Sequence, residues 1–170
     1  MPADDFDLRM LYLALDAERR RRGLTWAQAT REINDVGPVV KIHPIATSTI
    51  TGLRTKAVAE ADGVLQMLRW LRRAPESFMS GLSPALAASS LPPADVREVL
   101  RFDTEKLHES LDLRRRDRAL VWPDVAAAIG VPESHVRGLK RGGRTGFPGV
   151  MRLTRWLERP ASDFIRRSAY

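Results

Sequence analysis

The stretch "VWPDVAAAIGVPESHVRGLKRGG", Val121 to Gly143, decides how this chain is read. The stretch opens with a short predicted helix, with Pro123 tolerated in its first turn. Gly130 supplies the residue for a left-handed turn. Glu133 to Leu139 predicts a second short helix that leaves through the basic, glycine-rich "KRGGRTG". Ala126, Ala127 and Ala128 are small enough to let another helix cross closely.

Working outward, the stretch has a sister. "FDLRMLYLALDAERRRRGLTWAQATREI" (6–33) lies over "FDTEKLHESLDLRRRDRALVWPDVAAAI" (102–129) without a gap. Phe6, Asp7, Leu11, Leu15, Asp16, Arg19, Arg20, Arg22, Leu24, Trp26 and Ile33 each meet an identical residue 96 positions on. The match then slips by ten residues and resumes at an offset of 86, pairing Gly52 and Leu53 with Gly138 and Leu139. Gly63 and Val64 pair with Gly149 and Val150, "RWL" (69–71) with "RWL" (155–157), and Phe78 with Phe164. Two blocks in the same order, each with tryptophan in register, argue for an internal duplication. The slip places an insertion in the first copy between Ile33 and Ile50, with residues 34–45 as its centre.

Leu8, Leu11 and Leu15 recur at helical spacing. Gly23 closes that helix after an arginine run suited to a helix C-terminus, and Thr25 can cap the next. Ile50 and Leu53 belong to a third helix, and Val64 to Leu71 to a fourth. The second copy repeats the plan. The Ser-, Ala- and Pro-rich segment between the copies reads as a linker with a short helix after Pro93. Only "VVKI" (39–42) suggests a strand. The expectation is therefore an all-α chain with one helical domain over 1–80, a linker over 81–100 and a second domain over 101–170.

The 170 residues carry 28 Lys and Arg against 21 Asp and Glu, a net charge of +7, which favours a polyanionic partner. Residues 86–170 hold 16 basic against 11 acidic side chains, and residues 1–85 hold 12 against 10, so the second copy is the stronger anchor. No cysteine is present, which excludes disulfides and thiolate chemistry and fits a cytoplasmic protein. The acidic N-terminus is no signal peptide, and no apolar run is long enough for a membrane helix. His43, His108 and His135 have no paired ligand spacing, and no nucleophile elbow, phosphate loop or zinc signature occurs. Neither an enzyme, a metal site nor a cofactor is expected.

With Trp122 as its first place, the opening stretch resembles the helix-turn-helix of the lambda-repressor/Cro (XRE) family. It supplies that family's small fifth residue (Ala126), ninth glycine (Gly130), β-branched fifteenth residue (Val136) and eighteenth leucine (Leu139). The resemblance covers about residues 6–78 and 102–164. It departs at the first place, where Trp26 and Trp122 stand for a phosphate-binding glutamine. In the first copy Thr30 and Asn34 hold the fifth and ninth places, and Asn34 is expected to take the left-handed turn.

The resemblance implies double-stranded DNA as partner, with the second helix of each motif in the major groove. The implied contacts are Glu133, Ser134, Arg137, Lys140, Arg141 and Arg144 in the second copy, and Thr47, Ser48, Thr51 and Arg54 in the first. Arg137 and Glu133 have base-reading chemistry, although Glu133 also suits a helix start. Lys140, Arg141 and Arg144 suit phosphates. Arg19–Arg22 and Arg114–Arg118 are divided evenly between phosphate contacts and solvated helix ends. Trp70 and Trp156 are expected in the core. The implied function is a sequence-specific transcriptional regulator with two unequal units in one chain, covering half-sites roughly 34 Å apart. The alternative is a helical interaction module, a homodimer or a partner of another regulator, in which one repeat or neither touches DNA.

Overall fold

In a computed structural model, the chain is described over residues 5–35, 44–95, 98–142 and 144–169. The first copy runs α1 (Leu8–Arg21), α2 (Trp26–Asn34), α3 (Thr47–Gly52), β1 (Ala59–Glu60), α4 (Ala61–Leu71) and a 3-10 turn (Pro75–Phe78). A short α5 (Pro84–Ala87) follows. The second copy runs β2 (Glu98–Phe102), α6 (Thr104–Asp117), α7 (Trp122–Ile129) and α8 (Glu133–Gly138), which continues into a 3-10 turn (Leu139–Arg141). It ends with β3 (Gly146–Phe147), α9 (Gly149–Leu157), a 3-10 turn (Ala161–Phe164) and β4 (Ile165–Ala169).

The same local chemistry builds both halves. Asp7 caps α1 by accepting from the Arg9 and Met10 amides, and Asp103 caps α6 by accepting from Lys106. Helices α4 and α9 end on Arg72 and Glu158, both left-handed at φ 55°. Thr25 caps α2 in a reciprocal box with Gln28. The Arg22 and Arg118 guanidinium groups cover Trp70 and Trp156, and Arg73 and Arg159 cover Phe78 and Phe164. Trp70 and Trp156 are only partly buried, because these arginines rather than core residues close over one side of them.

The all-α expectation is overturned. About 60% of the described residues are helical and, among them, four short strands form two antiparallel sheets, so the fold is mixed. β2 pairs with β4 from Glu98–Ala169 to Phe102–Ile165. The helix expected after Pro93 gives way to this strand. Val99, Leu100 and Phe102 are all buried. A strand buried on both faces shows no apolar–polar alternation, so its sequence pattern hides it. The strand expected at 39–42 lies outside the described residues.

β1 pairs with β3, Ala59 opposite Phe147 and Glu60 opposite Gly146. One apolar core continues across this seam. Phe147 is fully buried, its ring 4.7 Å from Phe6 and 5.6 Å from Phe102. Polar contacts bind the same seam. Arg152 on α9 donates to both carboxylate oxygens of Asp5, and Asp62 on α4 accepts from the Phe102 amide. The buried Glu76 carboxylate accepts from the Ala161 amide, and Arg69 donates to the Glu98 and Asp95 carbonyls.

Candidate nucleic-acid interface

The second copy assembles its candidate surface from α7, a tight turn and α8. Gly130 sits at φ 76° and donates to the Ala126 carbonyl, as does Val131 one residue on. Val125, Ala126 and Ile129 on α7 and Val136 and Leu139 beneath α8 are buried. Ala126 is the small residue at the crossing; Ala127 and Ala128, expected to share that role, are exposed. Arg152 donates to the Gly130 carbonyl and so ties the turn to α9. Gly130→Ala is expected to cost about 1–2 kcal/mol from backbone strain alone, because a Cβ there meets nothing within 4 Å. Denaturant unfolding of the variant measures it.

With that seam buried, the other side of α8 faces out. Ser134, Arg137, Lys140, Arg141 and Arg144 are exposed. Glu133 and Arg137 form an ion pair along one turn of the helix. Arg137, Lys140 and Arg141 line a surface depression with His108, Asp112, Arg115, Arg116 and Trp122. Arg116 belongs to the arginine run that the sequence left even between phosphate contact and solvated helix end. Its side chain is 71% exposed and pairs with Asp112. The signal lay in the arginine run, but only folding brings α6 beside the exit of α8. Trp122 is half-buried, its ring 5.0 Å from the His108 ring and 5.1 Å from the Arg115 guanidinium carbon.

Arg19, Arg114 and Arg115 turn inward, whereas Arg20 and Arg21 stay exposed in ion pairs with Asp16 and Glu18. Arg19 donates to Asp16 and to the Leu24 carbonyl, and Arg115 donates to Asp112 and to the Leu120 carbonyl. Arg21 and Arg22 both bind Glu18 and hold its carboxyl down to about 2. Arg114 donates to the Leu157 carbonyl and pairs with Glu158. These groups fasten helix ends.

The first copy spends its candidates differently. Thr47 donates from its hydroxyl to Thr30 across the α2–α3 crossing, and Thr30, buried in place of Ala126, donates to the Trp26 carbonyl. The Thr51 hydroxyl donates back to the Thr47 carbonyl. Ser48 and Arg54 are exposed, with Arg54 lying 6.0 Å from the Tyr12 ring. Asn34 does not take the left-handed turn; it is the last residue of α2, followed by Asp35 at φ −81°. Its carboxamide instead donates to the Ile45 carbonyl and accepts from the Ile45 amide, both at 2.8 Å. That clamp closes the lengthened connection, whose residues 36–43 lie outside those described, His43 among them.

His108 on α6 and His135 on α8 have no histidine counterparts in the first copy, where Tyr12 and Thr49 hold the equivalent places. Burial pushes both His108 and His135 below the ordinary imidazole range, with Asp112 partly opposing this at His108. His135 lies 3.3 Å from the Thr145 hydroxyl. A depressed imidazole contributes stability that is present above its unfolded value of about 6.5 and lost as pH falls through the lower folded value. Acidification below about pH 6.5 is therefore expected to destabilise the chain. His135→Gln should flatten that part of the stability–pH profile; an unchanged profile refutes the assignment.

Among the described residues, no helix is long and apolar enough to cross a membrane, and no group of His, Asp and Glu is placed to hold a metal ion. Compared with family models, with curated proteins and with solved structures, the chain has no match.

Proposed function

We propose that the chain is a sequence-specific, double-stranded DNA-binding transcriptional regulator of the lambda-repressor/Cro kind, acting in the cytoplasm, with α8 as its main reading element. The observation that carries this is the division of α8 and its exit. Val136 and Leu139 are sealed beneath it while Ser134, Arg137, Lys140, Arg141 and Arg144 stand exposed, with Arg116 adjoining. A short helix fixed by its apolar side and polar on the other fits a major groove. The surrounding cations suit its phosphate walls. Selection from random-sequence duplexes, followed by binding titrations at several salt concentrations, tests the reading. An enriched sequence and steep salt dependence support it; no enrichment and no salt dependence refute it.

A second reading has one observation in its favour. Met10 and Leu13 on α1 are 52% and 47% exposed and border a groove with Phe78 and Met79. The equivalent places in the second copy carry Lys106 and Glu109. If this apolar patch serves self-association or docking of another regulator, Met10→Lys with Leu13→Glu removes a dimer seen by light scattering. A wild-type chain that is monomeric at all concentrations and docks no other regulator disposes of it.

A further inference from the structure

Tandem copies joined head to tail would, as independent beads, read direct repeats in DNA. The seam between the copies argues otherwise. At the offset of 86, Glu60 and Gly146 are equivalent residues, and they lie opposite each other in the antiparallel β1–β3 ladder. Ala59 lies opposite Phe147, and reciprocally the Ala61 amide donates to the Thr145 carbonyl. A residue paired with its own equivalent, flanked by reciprocal pairs, is the signature of a two-fold axis.

More distant contacts obey the same operator. The N-terminal arm of the first copy, at Asp5, reaches α9 of the second; the arm of the second, at Phe102, reaches α4 of the first. Phe147 packs between the equivalent residues Phe6 and Phe102. A two-fold rotation leaves height along its axis unchanged. Each recognition helix stands just before a ladder strand, α3 before β1 and α8 before β3. The two-fold therefore sets α3 and α8 at one height along the axis, with the parts of their paths perpendicular to it running in opposite senses.

The halves are not equal on that face. Of the reading positions on and beside α3, the Thr47 and Thr51 hydroxyls are engaged internally, which leaves Ser48 and Arg54 as the exposed members. On and beside α8 the exposed members are Ser134, Arg137, Lys140, Arg141 and Arg144.

Resting on the DNA-binding reading above, we infer that one chain occupies one duplex as two inverted half-sites at a fixed spacing. The half-site under α8 carries most of the sequence discrimination. The half-site under α3 is read by fewer side chains, Ser48 and Arg54.

Three duplexes derived from the selected sequence test this: the sequence itself, one with the α3-side half-site turned to the direct orientation, and one with five base pairs inserted at the centre. Five pairs rotate one half-site by about half a helical turn. Both altered duplexes are expected to bind at least tenfold more weakly, with one chain per intact duplex by light scattering of the complex. Arg137→Ala should relax base preference in one half-site only. Equal affinity for the three duplexes, protection of a single half-site, or two chains per duplex overturns the inference and leaves the DNA-binding reading standing. Failure to select any sequence overturns both.

Discussion

Phe147→Ala is expected to lower stability by about 3–5 kcal/mol, the range for truncating a fully buried aromatic side chain. The loss should be felt equally in both halves. The Phe147 ring fills the seam against Phe6 and Phe102, and its equivalent in the first copy is Ala61, also fully buried. One large and one small residue share the space beside the axis, where two phenyl rings would compete for it. No second ring is there to fill the cavity left by truncation. Trp26 and Trp70 report on the first copy, and Trp122 and Trp156 on the second. Variants retaining only one pair should show coincident denaturant transitions, shifted together by Phe147→Ala. A shift confined to the second copy would mean that the halves unfold independently, contrary to a continuous core.

The largest functional effect is expected from the basic depression beside α8. Replacing Arg116, Lys140 and Arg141 together by alanine removes three candidate phosphate contacts. Each contact contributes about 0.9 to the slope of log affinity against log salt, so the slope should flatten by about 2.7. Arg137→Ala should act differently. It should cost about 1–3 kcal/mol on the selected sequence and relax preference at one base position, with little change on random DNA. Anisotropy titrations between about 50 and 200 mM salt separate the two. An unchanged slope in the triple variant would remove this depression from the binding surface.

The helical parts were legible because their signals are local. Leucine spacing in α1 and α6, the Thr25 cap, the glycine after α1 and the Gly130 turn each act within a few residues, and each was read from the chain. The strands were not. β2 and β4 pair residues far apart in sequence, and burial of Val99, Leu100 and Phe102 erases the alternation that would announce a strand. Asn34 misled for a related reason. Its identity permits a left-handed turn, but a longer connection allowed the chain to stay helical there and use the carboxamide as a clamp on Ile45.

The candidate site divides in the same way. Sequence identified Arg137, Lys140, Arg141 and Arg144, which the fold leaves exposed. It could not divide the arginine runs, because which arginine of a run is covered depends on what packs against the helix end. Arg19 and Arg115 are covered and reach the Leu24 and Leu120 carbonyls, whereas Arg116, on the same Asp112 carboxylate as Arg115, stays 71% exposed beside the depression. By itself, the sequence determined two copies of one helical unit and the chemistry of the better-kept motif. Periodicity, caps and charge are properties of neighbours along the chain. The tertiary structure alone decided that the copies face each other about a two-fold ladder around Phe147, because an axis is a relation between distant residues that no local pattern encodes.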